Sequence, residues 1–428
     1  MVKRICVLAV CLFATLALYG QAPGTGFYPF SSFENRGFDS INLGNLNTHF
    51  EVPIVKKQGR GLPFNYSLVY DGLIWSPVTA SGLTTWQPST GWGLTGQLNE
   101  SGIVGYITNS VTYSGCSVPQ YYGIVLSYTE DNYVYHDSFG ASHHFKYSVY
   151  HPCPVDPNGT PTNAPAQYSG DGSSADGSGY TYDSSTATVV ARNGATINAP
   201  SSQGGSGTIT DSNGNRISNN GSGVFTDTTG TAELTIAGGG NASSPATFTY
   251  PVANQANGAT SATATVSYLA YTVQTSFGCA GIGESGAATV NLVDHITLPD
   301  NAADVYTFNY EPTPGYAGSV TGRLSSITLP TGGTITYTYS GGCNGSGIMA
   351  DGTTAGLTRT TSDGTKTYAR APVNGNATTT TTTDEANNIT ILHFSKDTTT
   401  SNYFETHRQV YQGTNTSGGN LLGRVHAI

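Results

Sequence analysis

Two stretches near the N-terminus alternate apolar and polar side chains with a period of two. Leu46, Thr48, Phe50, Val52 and Ile54 share one face, as do Leu62, Phe64, Tyr66, Leu68 and Tyr70. Each reads as a half-buried strand, and the polar run Lys56-Lys57-Gln58-Gly59-Arg60-Gly61 between them predicts a hairpin. A second hairpin is predicted from Tyr133-Val134-Tyr135, a turn at Asp137-Ser138-Phe139-Gly140, and a returning strand from Ser142 to Tyr147. From about residue 156 to 260 the pattern thins. Gly, Ser, Asn and Thr dominate, broken by short apolar runs such as Ala187-Thr188-Val189-Val190 and Leu234-Thr235-Ile236. Asn193-Gly194 and Asn213-Gly214 signal tight turns between such runs, which favours thin strands with long loops over a disordered linker.

Beyond Val290 a repeat appears. Ile296-Thr297-Leu298-Pro299 precedes Tyr306-Thr307-Phe308, and Ile327-Thr328-Leu329-Pro330 precedes Tyr337-Thr338-Tyr339 at the same offset. A period of about thirty residues, built of strand, Pro/Gly turn and aromatic strand, indicates stacked hairpins that complete a core only with their neighbours. The expected class is all-β: an N-terminal sandwich-like module over 21–155, a Gly/Ser/Thr-rich β region or linker over 156–288, and hairpin repeats over 289–428.

Composition agrees. The 428 residues include 55 Gly and 27 Tyr, and only 10 % are charged. Tyr and Thr suit pleated surfaces, and strong helix formers are scarce. A net charge of −10, thinly spread, offers no basic stripe for nucleic acid. Lys3 and Arg4, an apolar run from Ile5 to Leu18, then Gly20, Gln21 and Ala22, have the layout of a secretory signal peptide over residues 1–20. No second apolar stretch of about 18 residues follows, so a soluble exported product without a membrane anchor is expected. Cys6 and Cys11 leave with the leader. Cys116, Cys153, Cys279 and Cys343 remain, and export permits any of three disulfide pairings, Cys116 with Cys153 being preferred.

Candidate chemistry is sparse. Gly281-Ile282-Gly283-Glu284-Ser285-Gly286 spells a dinucleotide-loop pattern, but the β-prone run from Ala287 to Val293 stands where a helix should start; the same lack denies Ser285 a nucleophile elbow. His136, His143, His144 and His151 lie near Asp137, with His136 and His143 able to approach across a hairpin, yet surface strand residues explain them and no metal is assigned. Asp211-Ser212-Asn213-Gly214-Asn215 places oxygens as calcium loops do, but Arg216 and Ser222 occupy the positions of the loop glycine and the closing glutamate. Trp75, Trp86 and Trp92, near Tyr70, are candidate sugar-stacking rings or core fillers. Glu51, Asp71, Asp294, Asp300 and Asp304 are carboxylates that no motif pairs for glycosidase work. No catalytic residue and no cofactor is assigned.

The repeat residues resemble the RHS/YD-repeat family. Gly322-Arg323-Leu324, Ile327, Pro330, Gly332-Gly333 and Tyr337-Thr338-Tyr339 follow its G-R-L, strand, Gly-turn, Y-x-Y pattern. Tyr310-Glu311 stands where the family often has Tyr-Asp, and Thr383-Asp384, Asn387-Asn388 and His393-Phe394 resemble a degenerate copy. The opening segment is similar to the start of exported bacterial members, with Asn42-Leu43-Gly44-Asn45-Leu46 as a strand, then Pro53-Ile54, Gly59-Arg60-Gly61-Leu62-Pro63 and Tyr70-Asp71. The resemblance implies hairpins wound into a β-shell that acts at cell surfaces or encloses a toxin. With two or three recognisable repeats, enclosure is not expected, and the end at Arg424-Val425-His426-Ala427-Ile428 suggests the leading part of a longer shell. The expected function is a non-enzymatic exported structural or surface-interaction protein, its partners being cell-surface glycans or the rest of such a shell. The alternatives are an extracellular β-fold carbohydrate-active enzyme and a calcium-stabilised adhesin.

Overall fold

A computed structural model describes residues 18–19, 24–59, 61–98, 102–116, 126–158, 160–253, 260–416 and 420–426. The leader expected over 1–20, apart from Leu18–Tyr19, lies outside the described residues, as do Gln21, Ala22, Arg60, Ala427 and Ile428. Among the described residues, helix is confined to short 3-10 turns such as Thr90–Gly93, and none is long and apolar enough to cross a membrane. The fold is all-β.

One antiparallel sheet of 19 strands runs from Thr181–Asp183 to Leu421–His426, each strand pairing with the next in chain order. One parallel contact joins Ser261–Val273 to Ser319–Thr328 through Thr272 opposite Ser319 and Val273 opposite Val320. The sheet passes through residue 289 without interruption: Ser261–Val273 pairs with Ala288–Thr297 over nine partners. The Gly/Ser/Thr region from Thr181 onward therefore belongs to the same sheet as the repeats, while Gln167–Ser169 pairs with Ser148–His151 in another.

Both hairpins expected near the N-terminus form. Thr48–Lys57 pairs with Phe64–Asp71, with a bulge between Pro53 and Val55 that buries both Ile54 and Val55. Leu126–His136 pairs with Ser142–His144 around the turn at 137–140. Asn42–Leu46 does not extend as a strand. Asp39–Asn42 ends there, and the chain reverses because the Asn42 and Asn45 side-chain oxygens accept the backbone N–H groups of Gly44 and Asn47. Leu46 takes a left-handed φ of 56° in that turn.

The Thr48–Lys57/Phe64–Asp71 hairpin packs its apolar face against the long sheet, and the contacts sweep across successive strands. Phe64 and Tyr66 meet Phe225, and Tyr66 reaches Phe248. Phe50 stacks with Phe308, and Phe38 with Tyr306. Further along, Asp39 meets Tyr337 and Arg359, Glu34 meets Lys366, the Leu43 carbonyl accepts from Thr380, and Tyr28 meets Phe404. Hairpin residues and strands from Arg216–Asn219 to Tyr403–Tyr411 thus share one continuous core. The sheet bends around the hairpin. The sheet extends beyond the recognisable repeats because strand pairing uses backbone groups and needs no repeat motif.

Two disulfides join Cys116 to Cys153 and Cys279 to Cys343, closing loops with sequence separations of 37 and 64 residues. Chain entropy alone assigns about 4 kcal/mol to each. A reductant is therefore expected to lower the melting temperature, and a thiol count on the unreduced, unfolded chain should find these four cysteines blocked.

Candidate functional site

The repeat motif is built into the core. Arg323, 3 % exposed, donates through Nε and one terminal nitrogen to Glu311 at 2.8 and 2.9 Å, and its guanidinium lies 4.1 Å from the Tyr339 ring centre. The Tyr339 hydroxyl donates to the Leu324 carbonyl, and Tyr337 donates to Asp39 at 2.7 Å. Pro330 and Gly332 form the intervening turn, with Gly332 at φ 85°. Arg323 and Tyr337 are buried among these strands.

Trp75 and Trp86 are 1 % and 0 % exposed, so neither offers a ring face to a sugar. Trp75 donates its indole N–H to the Thr321 carbonyl, and both rings meet Phe277 edge-on beside the Cys279–Cys343 bridge. They are core fillers. Trp92 is half-buried and differs in backbone: it sits at φ 55° between Gly91 and Gly93, which are also left-handed. Its ring lies where a Cβ on Gly322 would come within 2.9 Å, so that repeat glycine admits the indole. Trp92 also lines a cavity of about 270 Å³ with Tyr70, Tyr268, Phe308, Tyr310 and Leu324.

A larger cavity, about 920 Å³, lies between three hairpins that each turn a mixed polar and apolar face toward it. Glu51, Ser67 and Asp71 come from the inner hairpin, on the face opposite Phe50 and Tyr70. Ser76 and Gln87 come from the hairpin of Trp75–Ala80 and Leu83–Pro88, and Asn132, His136 and His144 from the sheet around Leu126–His136. Asp71 is held in place: its Oδ1 accepts from the Gly26 N–H, from Asn47 and from His49, and Gly140 packs against Oδ2 closely enough to exclude a Cβ. His136 stacks on Tyr106 at 4.4 Å, its nitrogens bonded to Thr108 and Ser142. Burial, aided by His144, lowers its pKa to about 4, so the ring is neutral at physiological pH.

His136 and His143 do not meet across the hairpin. His136 stands opposite Ser142 and His143 opposite Tyr135, so the two imidazoles point to opposite faces. Rather than lying at the surface, His143 is 2 % exposed and donates from Nδ1 to Asp176 at 2.6 Å and from Nε2 to Asp137 at 3.2 Å. Burial depresses its pKa, but the two carboxylates outweigh burial and lift it to about 9. Asp176, which nothing in the local sequence singles out, is raised by burial but brought down to about 2 by the same bond and charge.

A pH dependence follows. His143, raised above its ordinary 6.5, contributes stability that is complete below about 6.5 and lost as pH climbs through about 9. Asp176, lowered from 3.8, contributes stability present above about 3.8 and lost as pH falls through about 2. His49, raised through Asp71 against its own burial, acts in the same direction as His143. His136, lowered from 6.5 to about 4 by burial, acts the other way and withdraws stability as pH falls from about 6.5 toward 4. Melting temperature should therefore be highest near pH 6.5 and decline toward 9, and the decline should shrink in His143→Gln.

The remaining candidates are structural. Gly283 bridges Thr85 in parallel, exchanging hydrogen bonds with the Thr84 carbonyl and the Trp86 N–H, and the segment runs into the strand Ala288–Thr297. Ser285 is tied to Thr275. Asp211 spends Oδ1 on the N–H groups of Asn213 and Asn215 and Oδ2 on the Asn215 side chain, so the turn satisfies its own carboxylate. Calcium chelation is expected to leave the melting temperature unchanged. Asp294 pairs with His295, while Asp300 and Asp304 line neither cavity. His151 lies 3.9 Å from Glu130. Among the described residues, no three His, Cys, Asp or Glu side chains gather as a metal centre requires. No protein-family model matches the chain, and no curated protein matches it.

Proposed function

We propose that this protein is a non-enzymatic exported scaffold, similar in plan to the leading part of an RHS/YD-repeat shell, that acts by presenting a surface to glycans or to further shell. The observation carrying this reading is the shared core: a long hairpin-built sheet bends around its own N-terminal hairpin, and the motif residues Arg323, Tyr337 and Tyr339 serve that packing. Two disulfides suit an oxidising compartment, in keeping with the basic and apolar leader pattern. Asp71, a cavity-lining carboxylate, spends its Oδ1 on three donors. Expression of the full chain in a bacterial host tests the reading. The expected product lies outside the cytoplasm, begins near residue 21 and holds both disulfides. A reduced cytoplasmic product that keeps Met1 would contradict it.

A further inference from the structure

The larger cavity has features that packing does not require. Its volume, about 920 Å³, lies at the upper end of the range for small-molecule sites, roughly 300–1,000 Å³. At its edge stands Phe139, 50 % exposed although it belongs to a pinned turn. Asp137 Oδ1 accepts the N–H groups of Phe139 and Ala141, and the Gly140 carbonyl accepts from Thr25. A ring fixed at the edge of such a cavity is placed to cover the apolar face of a ligand.

Across the cavity the ladder between Tyr106–Gly115 and Leu126–His136 slips between Asp131 and Val134. At that bulge Asn132 adopts φ 50°, and its exposed amide lines the space. Bulges recur where a side chain must be re-aimed at a site.

Two of the carboxylates around the cavity are paired: Asp71 with His49 and Asp137 with His143, while Glu51 and Lys56 both line the wall. His136 adds no charge at neutral pH. What remains is a mixed wall, with hydroxyls and amides (Ser67, Gln87, Asn65, Asn132) interleaved with apolar and aromatic side chains such as Val69, Val78 and Tyr106, and Phe139 at its edge. Such a wall suits an uncharged ligand that carries both hydroxyl groups and apolar ring faces.

We infer that this cavity binds a neutral oligosaccharide, with Phe139 stacking on a sugar ring and Glu51 and Asn132 bonding its hydroxyls. The inference deepens the scaffold reading by placing its glycan contact in the cavity and away from the tryptophans. It relies on that reading only for the export that would bring the protein among glycans.

The test is titration calorimetry of the mature full chain with cellohexaose, xylohexaose, chitohexaose and maltohexaose, and with hexagalacturonate as an anionic probe. At least one neutral hexasaccharide should bind with a sub-millimolar Kd. Phe139→Ala and Glu51→Gln should each weaken that binding by about tenfold. Neither residue belongs to the shared core, so both variants should melt with the parent. The inference is overturned if no neutral probe binds at millimolar concentration, if binding survives both substitutions undiminished, or if the anionic probe binds best. Any of these results in an exported, doubly disulfide-bonded protein would leave the scaffold reading standing.

Discussion

Replacing Asp39 with alanine is expected to destabilise the folded chain by about 3–5 kcal/mol, the cost of stranding a buried charge. Asp39 is 1 % exposed and accepts from Arg359 Nε at 2.8 Å and a terminal Arg359 nitrogen at 2.6 Å, while Tyr337 donates to its Oδ2 at 2.7 Å. The pair spans 320 residues of sequence and ties the strand before the inner hairpin to the strand Gly356–Thr361. Truncation leaves a guanidinium and a phenol buried without their acceptor. A paired substitution, Asp39→Leu with Arg359→Met, should recover most of the loss, because two apolar side chains of similar size remove the uncompensated charge. Urea midpoints of the parent, both single variants and the pair would measure this. Equal midpoints for parent and Asp39→Ala would mean that the bridge does not hold the two segments together.

The second large effect is expected at Trp75. Trp75→Ala should cost about 3–5 kcal/mol, the range for emptying a buried aromatic site. The ring is 1 % exposed, lies edge-on to Trp92 and Phe277, and its N–H satisfies the Thr321 carbonyl. Phe139→Ala, which removes an exposed ring, should stay within about 0.5 kcal/mol of the parent. Thermal melts of the two variants separate the roles that sequence alone left open for the aromatic residues. A Trp75→Ala protein as stable as its parent would show that the tryptophan hairpin is not packed as described.

Much of the local architecture was legible in the sequence, since a period of two with Gly, Asn and Pro at the breaks specifies strands and turns through short-range sterics. The two N-terminal hairpins and the repeat hairpins follow from such rules, whereas the Cys116–Cys153 bridge was one of three pairings that the sequence allowed. Arg359 carried a readable signal too: it shares strand parity with Leu357, which places a cation on the buried face. Asp39 likewise shares parity with Ile41.

What stayed hidden depends on contacts remote in sequence. That Asp39 and Arg359 answer each other, and that Asp176 lies against His143, is set by how the sheet bends. Asn42–Leu46 misled because its two leucines are buried although its asparagines close a turn. Trp75 and Trp86 gave no local sign of burial, since an aromatic strand reads alike whether it faces solvent or a neighbouring hairpin. The larger cavity was invisible for a similar reason: its walls come from three hairpins whose faces meet only after folding.

The central claim is that the inner hairpin and the long sheet form one core. Hydrogen exchange of the intact mature protein, followed by mass spectrometry, tests it directly. Amides in Phe64–Asp71 should be protected to the same free energy as those in Val305–Pro312 and Gly356–Thr361, and all should exchange together when the protein opens. If the hairpin exchanged early while the sheet strands stayed protected, the hairpin would be a separate unit lying on the sheet and the account would be wrong.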